Sequence, residues 1–427
     1  MTQFLSPGMW DEVPCPFCGL VCDDLRITTH SGKLEVIANG CPISSRAFAT
    51  LSLSEPAAPQ IAGKTASLDN AAAAVADFLG NAKQPLVAGL GTDVAGMRAL
   101  MQLADRIGAV VDHMNSVYLM SNILALQDSG WVTTTLSELK NRVDLLVLAG
   151  TDVTSRFPRF FERYVWNRDH LFVSNAREVV YLGRGLDTQA GTAPDGRKPT
   201  VIACDITRIG EVAGALRCLI AGRQLQATRI AGVPLQELQK LAARMQAARY
   251  GVLAWAAADF DFKHAELAVQ SLCGLVNDLN RSTRFCGLPL GGNEGDVTAN
   301  QVCTWQCGFP VRTGFASGGP YYDPRHFSAE RMLRENEADA LLWVSSFNEK
   351  NTPPETSVPV AVLGRRGMKF RKEPRVYIPV ATPGVDHSGH IYRTDNVVAL
   401  PLRKLRESAL PSVAQVAAEI EKVLESR

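Results

Sequence analysis

LQELQKLAARMQAARYGVLAWAAADF, residues 235–260, carries the pattern that most restricts the fold. Its first half spaces apolar residues three and four apart, the stripe of a helix packed on one face. Its second half, GVLAW, is a short unbroken apolar run, which suits a strand covered on both sides. The same step from helix to covered strand recurs at 96–113 (GMRALMQLADRIGAVVDH), 136–150 (LSELKNRVDLLVLAG) and 328–347 (SAERMLRENEADALLWVSSF). DNAAAAVADFLGNA (69–82) is a helix leading into the run PLVAGLG (85–91), and AELAVQSLCGLVNDLN (265–280) is another helix. Further strands are expected in LEVIANG (34–40), HLFVSN (170–175), PTVIACD (199–205), RSTRFCGLPL (281–290), SVPVAVLG (357–364) and PRVYIPVA (374–381). Repeated alternation of this kind predicts an α/β protein built on doubly wound parallel sheets.

A chain of 427 residues has room for two or three domains. The expected division is a small cysteine-rich module over 1–62, an α/β domain over 63–225 and a second over 226–354. A C-terminal segment, 355–427, would pack back on the first α/β domain. SLSEPAAPQIAG (52–63) reads as a linker. Lys and Arg total 44 against 43 acidic residues, so no net field gathers nucleic acid or an anionic membrane. MTQFLSPGMWDEVP has no basic region followed by an apolar run, and no apolar stretch reaches the roughly 18 residues of a membrane span. A cytoplasmic protein is expected, and in a reducing compartment closely spaced cysteines point to metal rather than disulfides.

Four of the ten cysteines are closely placed: Cys15, Cys18 and Cys22 in CPFCGLVCDD, with Cys41 in NGCPISSRAF. Short gaps let the backbone wrap one face of a cubane, and a distant fourth thiolate closes the cage, so a [4Fe–4S] cluster is the leading reading. Zinc uses four thiolates too, though structural zinc sites more often show two CxxC pairs. Four thiols packed as small apolar side chains, holding nothing, is the third alternative. The other six cysteines read as core or loop thiols. Among them, Cys303 and Cys307 stand four apart in VCTWQC, without a further Cys or His to complete a metal site.

These segments together resemble the B subunit of formylmethanofuran dehydrogenase, of the molybdopterin oxidoreductase superfamily. CPFCGLVCDD with NGCPISSRAF is similar to its cluster-binding start. NSVYLMSNILALQDSGWVTTTLSELKNRVDLLVLAGTD (115–152) is similar to its most recognisable internal segment. GGNEGDVTANQVCTWQCGFP (291–310) resembles the glycine-rich region near the pterin, and VDHSGHIYRTDNV (385–397) a C-terminal signature. The resemblance implies two α/β domains of molybdopterin-oxidoreductase type without the superfamily's terminal barrel. It also places Gly291, Gly292 and Asn293 in what would be a vestigial pterin region.

One departure decides the expected function. Where the catalytic subunits carry a cysteine or selenocysteine on tungsten or molybdenum and a histidine beside it, this chain has Tyr118 and Leu119. A phenol with a pKa near 10 replaces a soft thiolate poorly, and leucine carries no proton. The nearby Thr151 and Ser155 stand where the family tends to show a cysteine and a histidine. The pattern resembles the B subunit of the bacterial formyltransferase/hydrolase complex of methylotrophs. In that complex, formyl groups pass from formyl-tetrahydromethanopterin to a methanofuran-like carrier and leave as formate. The resemblance implies a non-catalytic scaffold without a molybdenum or tungsten pterin. Its partners would be a formyltransferase subunit, an amidohydrolase-like subunit and a third small subunit. Two alternatives stay open: a working formylmethanofuran dehydrogenase subunit, and an iron–sulfur electron-transfer module.

Three other features have plainer readings. GLGTDVAG (89–96) is a strand-to-helix turn able to hold phosphate, though sheet geometry alone also produces such turns. The basic run Arg365, Arg366, Lys369, Arg371, Lys372, Arg375 reads as a solvated loop, with docking of an acidic partner as the alternative. Asp386, His387 and His390 have zinc-like spacing but read as a loop, and His113 reads as a polar residue at a strand end.

Overall fold

A computed structural model describes residues 8–30, 33–51, 58–172, 177–316 and 318–426. The chain folds as two compact units, one of Met1–Val117 with Gly292–Arg427 and one of Tyr118–Gly291. The linker expected at 52–63 falls partly outside the described residues, as does the strand expected at 170–175. No strand forms over 170–172.

In the first unit five parallel strands form the centre of a sheet, in the order Val110–His113, Pro85–Gly91, Ala340–Ser345, Val360–Arg365, Val376–Val380. All but the first residue of Val360–Arg365 are buried along these strands, which explains why their sequences run apolar instead of alternating. Leu86, Ala88, Val110, Leu341, Trp343, Val362 and Tyr377 pack on one face. Helices Leu68–Gly80, Val94–Ile107 and Val413–Glu425 pack together beside the sheet. Ser67, Asp93 and Ser412 cap their N-termini. A separate antiparallel sheet, Met9–Val13, Leu25–His30 and Lys33–Ala38, carries the N-terminal cysteines on its loops.

The second unit is built on five parallel strands in the order Thr200–Ile202, Glu178–Leu182, Leu145–Ala149, Gly251–Ala256, Phe285–Leu290. Its core includes Val147, Val180, Leu253, Trp255, Phe285, Leu216 and Leu272. Trp255 is fully buried and its Nε1–H donates to Asn122 Oδ1 at 2.9 Å, so the indole needs no water.

The α/β architecture matches the alternation in the sequence, but the expected boundaries at 225/226 and 354/355 are not where the units divide. Gly251–Ala256 pairs with Leu145–Ala149, whereas Ala340–Ser345 pairs with Pro85–Gly91. The stretch 226–354 therefore contributes strands to both sheets. The cysteine-rich segment falls within the first unit.

Candidate functional site

The first unit gathers three of the segments that carry the resemblance. A Cβ on Gly292, whose φ is +95°, would stand 2.6 Å from Gly19 Cα, so the glycine-rich loop and the cysteine loop touch backbone to backbone. Thr394 N–H donates to Gly19 O at 2.8 Å, and Tyr392 N–H donates to Thr298 Oγ1 at 2.9 Å, which brings in the C-terminal signature. Gly292→Ala meets both a backbone clash and a left-handed φ, and is expected to lower stability by about 2 kcal/mol. A thermal melt matching the parent's would show that the two loops part without cost.

Cys15, Cys18 and Cys22 are buried, with Cys15 N–H donating to Cys22 O at 2.8 Å. Cys41 caps the helix Pro42–Ala49, its Sγ accepting from Ser44 N–H at 3.5 Å. The four thiols share one neighbourhood. Burial, followed by the charge of Cys18, pushes Cys15 well above the usual thiol range. Burial, followed by the charge of Cys22, pushes Cys18 up to about 12. Unliganded, these two would stay protonated, and a metal would have to release those protons. The donor set suits a soft metal or an iron–sulfur cluster. Among the described residues, however, no three His, Cys, Asp or Glu side chains are drawn into the shell of a single ion.

Around the end of strand Val110–His113 lies a polar network that no motif announced. His113 is buried; its Nδ1 accepts from Asn115 N–H at 2.9 Å, which leaves Nε2–H to donate to Glu294 O at 3.1 Å. Burial pushes the imidazole down to about 4. Asn115 Nδ2 donates to Asn293 O at 3.1 Å. Asp296 accepts from Gly292 N–H at 2.7 Å, and burial pushes its carboxyl up to about 7. Asp112 accepts from the N–H groups of His113 and Ala329, with Arg312 at 3.5 Å. Tyr118 and Leu119 follow in the first turn of helix Ser116–Ser129, with Tyr118 exposed and Leu119 half-buried.

Open α/β sheets take ligands where the strand order reverses, beyond the carboxyl ends of the strands. At each reversal point the chain's own residues meet near the strand ends. In the first, between Pro85–Gly91 and Ala340–Ser345, Ser346 donates to Gly91 O through both N–H and hydroxyl at 2.8 Å. The loop 292–296 lies over it: a Cβ on Gly295 would stand 2.9 Å from Thr92 O and 3.4 Å from Phe347. In the second, between Leu145–Ala149 and Gly251–Ala256, a Cβ on Gly150 would stand 2.6 Å from the Phe260 ring, and Arg156 pairs with Asp259 at 2.7 Å. The GLGTDVAG helix end is occupied, since Asp93 Oδ1 accepts from Gly96 N–H at 3.0 Å where a phosphate oxygen would go.

The remaining candidates separate. Arg365 is not part of an exposed basic run. It is buried and paired with Glu349 at 2.7 Å, while Lys369, Arg371, Lys372 and Arg375 are exposed. The last three border a cleft of about 440 Å³ lined also by Pro353, Pro354 and Phe370. Asp386 is drawn away from His387 and His390, because its buried carboxylate pairs with Arg406 at 2.7 Å.

No protein-family model matches the chain. It is 28% identical to the B subunit of the tungsten-containing formylmethanofuran dehydrogenase 2 of Methanocaldococcus jannaschii, over 97% of this chain and 98% of that protein. The B subunit of the enzyme of the same name from Methanococcus maripaludis is 26% identical, over 93% of this chain and 94% of that protein. The Fhc B subunit of the formyltransferase/hydrolase complex of Methylorubrum extorquens is 27% identical, over 78% of this chain and 87% of that protein. Among solved structures, a chain of the FhcABCD complex from Methylorubrum extorquens, determined with methylofuran, superposes with a TM-score of 0.71 at 25% identity. The match covers 86% of this chain and 99% of that one. By sequence and by fold, the chain is similar to the B subunits of formylmethanofuran dehydrogenase and of the Fhc complex.

Proposed function

We propose that this chain is a non-catalytic scaffold subunit of a formyltransferase/hydrolase complex, working in the cytoplasm on one-carbon units. The complex would move a formyl group from formyl-tetrahydromethanopterin to a methanofuran-like carrier and hydrolyse it to formate. Its partners would be a formyltransferase subunit, an amidohydrolase-like subunit and a third small subunit. The observation that carries the reading is the pair Tyr118 and Leu119 where the resemblance calls for a thiolate ligand and a proton carrier. Formyl transfer and hydrolysis move no electrons, so such a complex keeps the fold without needing the metal.

A second reading, a working formylmethanofuran dehydrogenase subunit, is favoured by the coverage of the tungsten-containing relatives. Metal analysis of the complex purified from its own cells separates the two. The scaffold reading expects tungsten and molybdenum far below one per chain and no viologen-linked oxidation of the formyl carrier. Stoichiometric tungsten with that activity would overturn it. About four irons per chain without either heavy metal would assign Cys15, Cys18, Cys22 and Cys41 a structural cluster. A reversible EPR signal from that iron, coupled to turnover, would instead favour an electron-transfer module.

A further inference from the structure

Helix Asp296–Cys307 ends in two thiols that the scaffold role does not use. Cys303 and Cys307 lie on one face, one helical turn apart, with Sγ···Sγ 3.8 Å. Cys303 is fully buried and Cys307 is half-exposed. The helix stops immediately after Cys307, where Gly308 turns the chain with φ +84°. Trp305 and Phe309, both exposed, flank the pair, so this end of the helix is open to solvent.

The two thiols differ in the way an attacking and a resolving cysteine differ. Cys307 Sγ is reachable, and burial does not decide its acidity. As a thiol Cys307 donates to the carbonyls of Cys303 at 3.1 Å and Phe309 at 3.5 Å. Once it ionises, the S–H of Cys303, 3.8 Å away, can donate to it, which pulls Cys307 down to about 7. Cys303 is pushed well above the usual thiol range, first by that same hydrogen bond and then by burial. Cys15, Cys18, Cys204, Cys273 and Cys286 are all raised, with burial the first cause. The thiolate is the reactive form, so the exposed end of this helix carries the readiest nucleophile among them.

We propose that Cys303 and Cys307 form a reversible dithiol–disulfide pair, a modification site for hydroperoxides that is independent of the N-terminal cysteines. The Cys307 thiolate attacks the peroxide's terminal oxygen; the O–O bond breaks, and Cys307 becomes a sulfenic acid while hydroxide or an alkoxide leaves. Cys303 Sγ, losing its proton, then attacks the Cys307 sulfur. The S–O bond breaks, water departs, and the S–S bond forms. Residues four apart on a helix have Cα atoms about 6 Å apart, inside the span a disulfide accepts. Cβ atoms of residues four apart on a helix stand about 5–6 Å apart, wider than the roughly 3.5–4.5 Å of a disulfide. Closing the 3.8 Å between the sulfurs therefore requires the last turn, which ends at Gly308, to open.

The test uses the reduced full chain, treated at pH 7 with stoichiometric hydrogen peroxide, quenched by alkylation and mapped. Cleavage after Arg284 and Arg312 leaves both thiols on one peptide with Cys286, so tandem mass spectrometry must place the bridge. The expected result is loss of two hydrogens between Cys303 and Cys307 before any other cysteine reacts, reversed by dithiothreitol. Without oxidant, iodoacetamide should modify Cys307 roughly tenfold faster than Cys303. In Cys303→Ser, dimedone should capture a sulfenate on Cys307; in Cys307→Ser, residue 303 should stay reduced. Recovery of both as free thiols after other cysteines have oxidised would overturn the proposal. So would a sulfenate on Cys307 of the parent chain that never passes to a disulfide.

Discussion

Replacing Arg406 by methionine is expected to lower the unfolding free energy by about 3–5 kcal/mol. The guanidinium Nε donates to Asp386 Oδ1 at 2.7 Å, and both side chains are almost wholly buried. Arg406 Nη1 also donates to Leu51 O at 2.7 Å, so the arginine ties the C-terminal segment to the N-terminal one within the same unit. Without it, the Asp386 carboxylate keeps the Thr382 N–H at 2.9 Å, and an ionised carboxylate in that setting is poorly compensated. The pair Asp386→Leu with Arg406→Met leaves neither of these two charges buried alone and should recover part of the loss, the Thr382 N–H then lacking its carboxylate acceptor. Urea titration at constant m-value measures both. An equal deficit in the single and double variants would mean that packing of the arginine stem, not the charge, holds the segment. The same pair explains why the DHSGH spacing does not make a metal site. Asp386 is committed to Arg406, while His387 Nδ1 faces Ser388 O at 2.8 Å and His390 is exposed.

The strands were legible where burial on both faces leaves a continuous apolar run. PLVAGLG, LLVLA and GVLAWA each appear as a buried parallel strand. The strand Glu178–Leu182 was not expected, although EVVYL is β-branched and aromatic, because the apolar residues of HLFVSN just before it compete for the same place in the alternation. Which strand pairs with which was not legible. The chain leaves one sheet after Val117 and returns at Gly292, and the helix–strand alternation is alike before and after each crossing. The N-terminal cysteines were visible through spacing, since their order along the chain brings them together locally. Contacts such as Gly19 with Gly292 are set by the tertiary fold and have no local signature. The network of His113, Asn115, Glu294 and Asp296 escaped for the same reason. Its members lie in two distant segments, and each residue alone reads as an ordinary polar side chain.

That network should give the protein two opposed responses to pH. His113 goes from an ordinary 6.5 to about 4 on folding, because burial disfavours the imidazolium. Between those values the unfolded chain binds a proton that the native state refuses, so this group makes stability rise with pH. Asp296 goes the other way, from 3.8 to about 7, again because burial disfavours the charged form. Between those values the native state holds a proton that the unfolded chain has released, so this group makes stability fall as pH rises. Asp112, also pushed up by burial, tilts parent and variant alike. Glu294, likewise pushed up first by burial, acts on Asp296 through its charge, so the Asp296→Asn curve reports the two carboxyls together. In Asp296→Asn, whose amide oxygen can still accept from Gly292 N–H, stability relative to the parent should climb with pH across about 4 to 7, by up to about 4 kcal/mol. In His113→Gln the relative stability should fall by about 3 kcal/mol between pH 4 and 6.5. Chemical denaturation at half-unit pH steps reads both curves. If Asp296→Asn runs parallel to the parent, that carboxyl is ionised in the folded protein, and the loop 292–296 must be wetter than its contacts with Gly19, Thr92 and Phe347 allow.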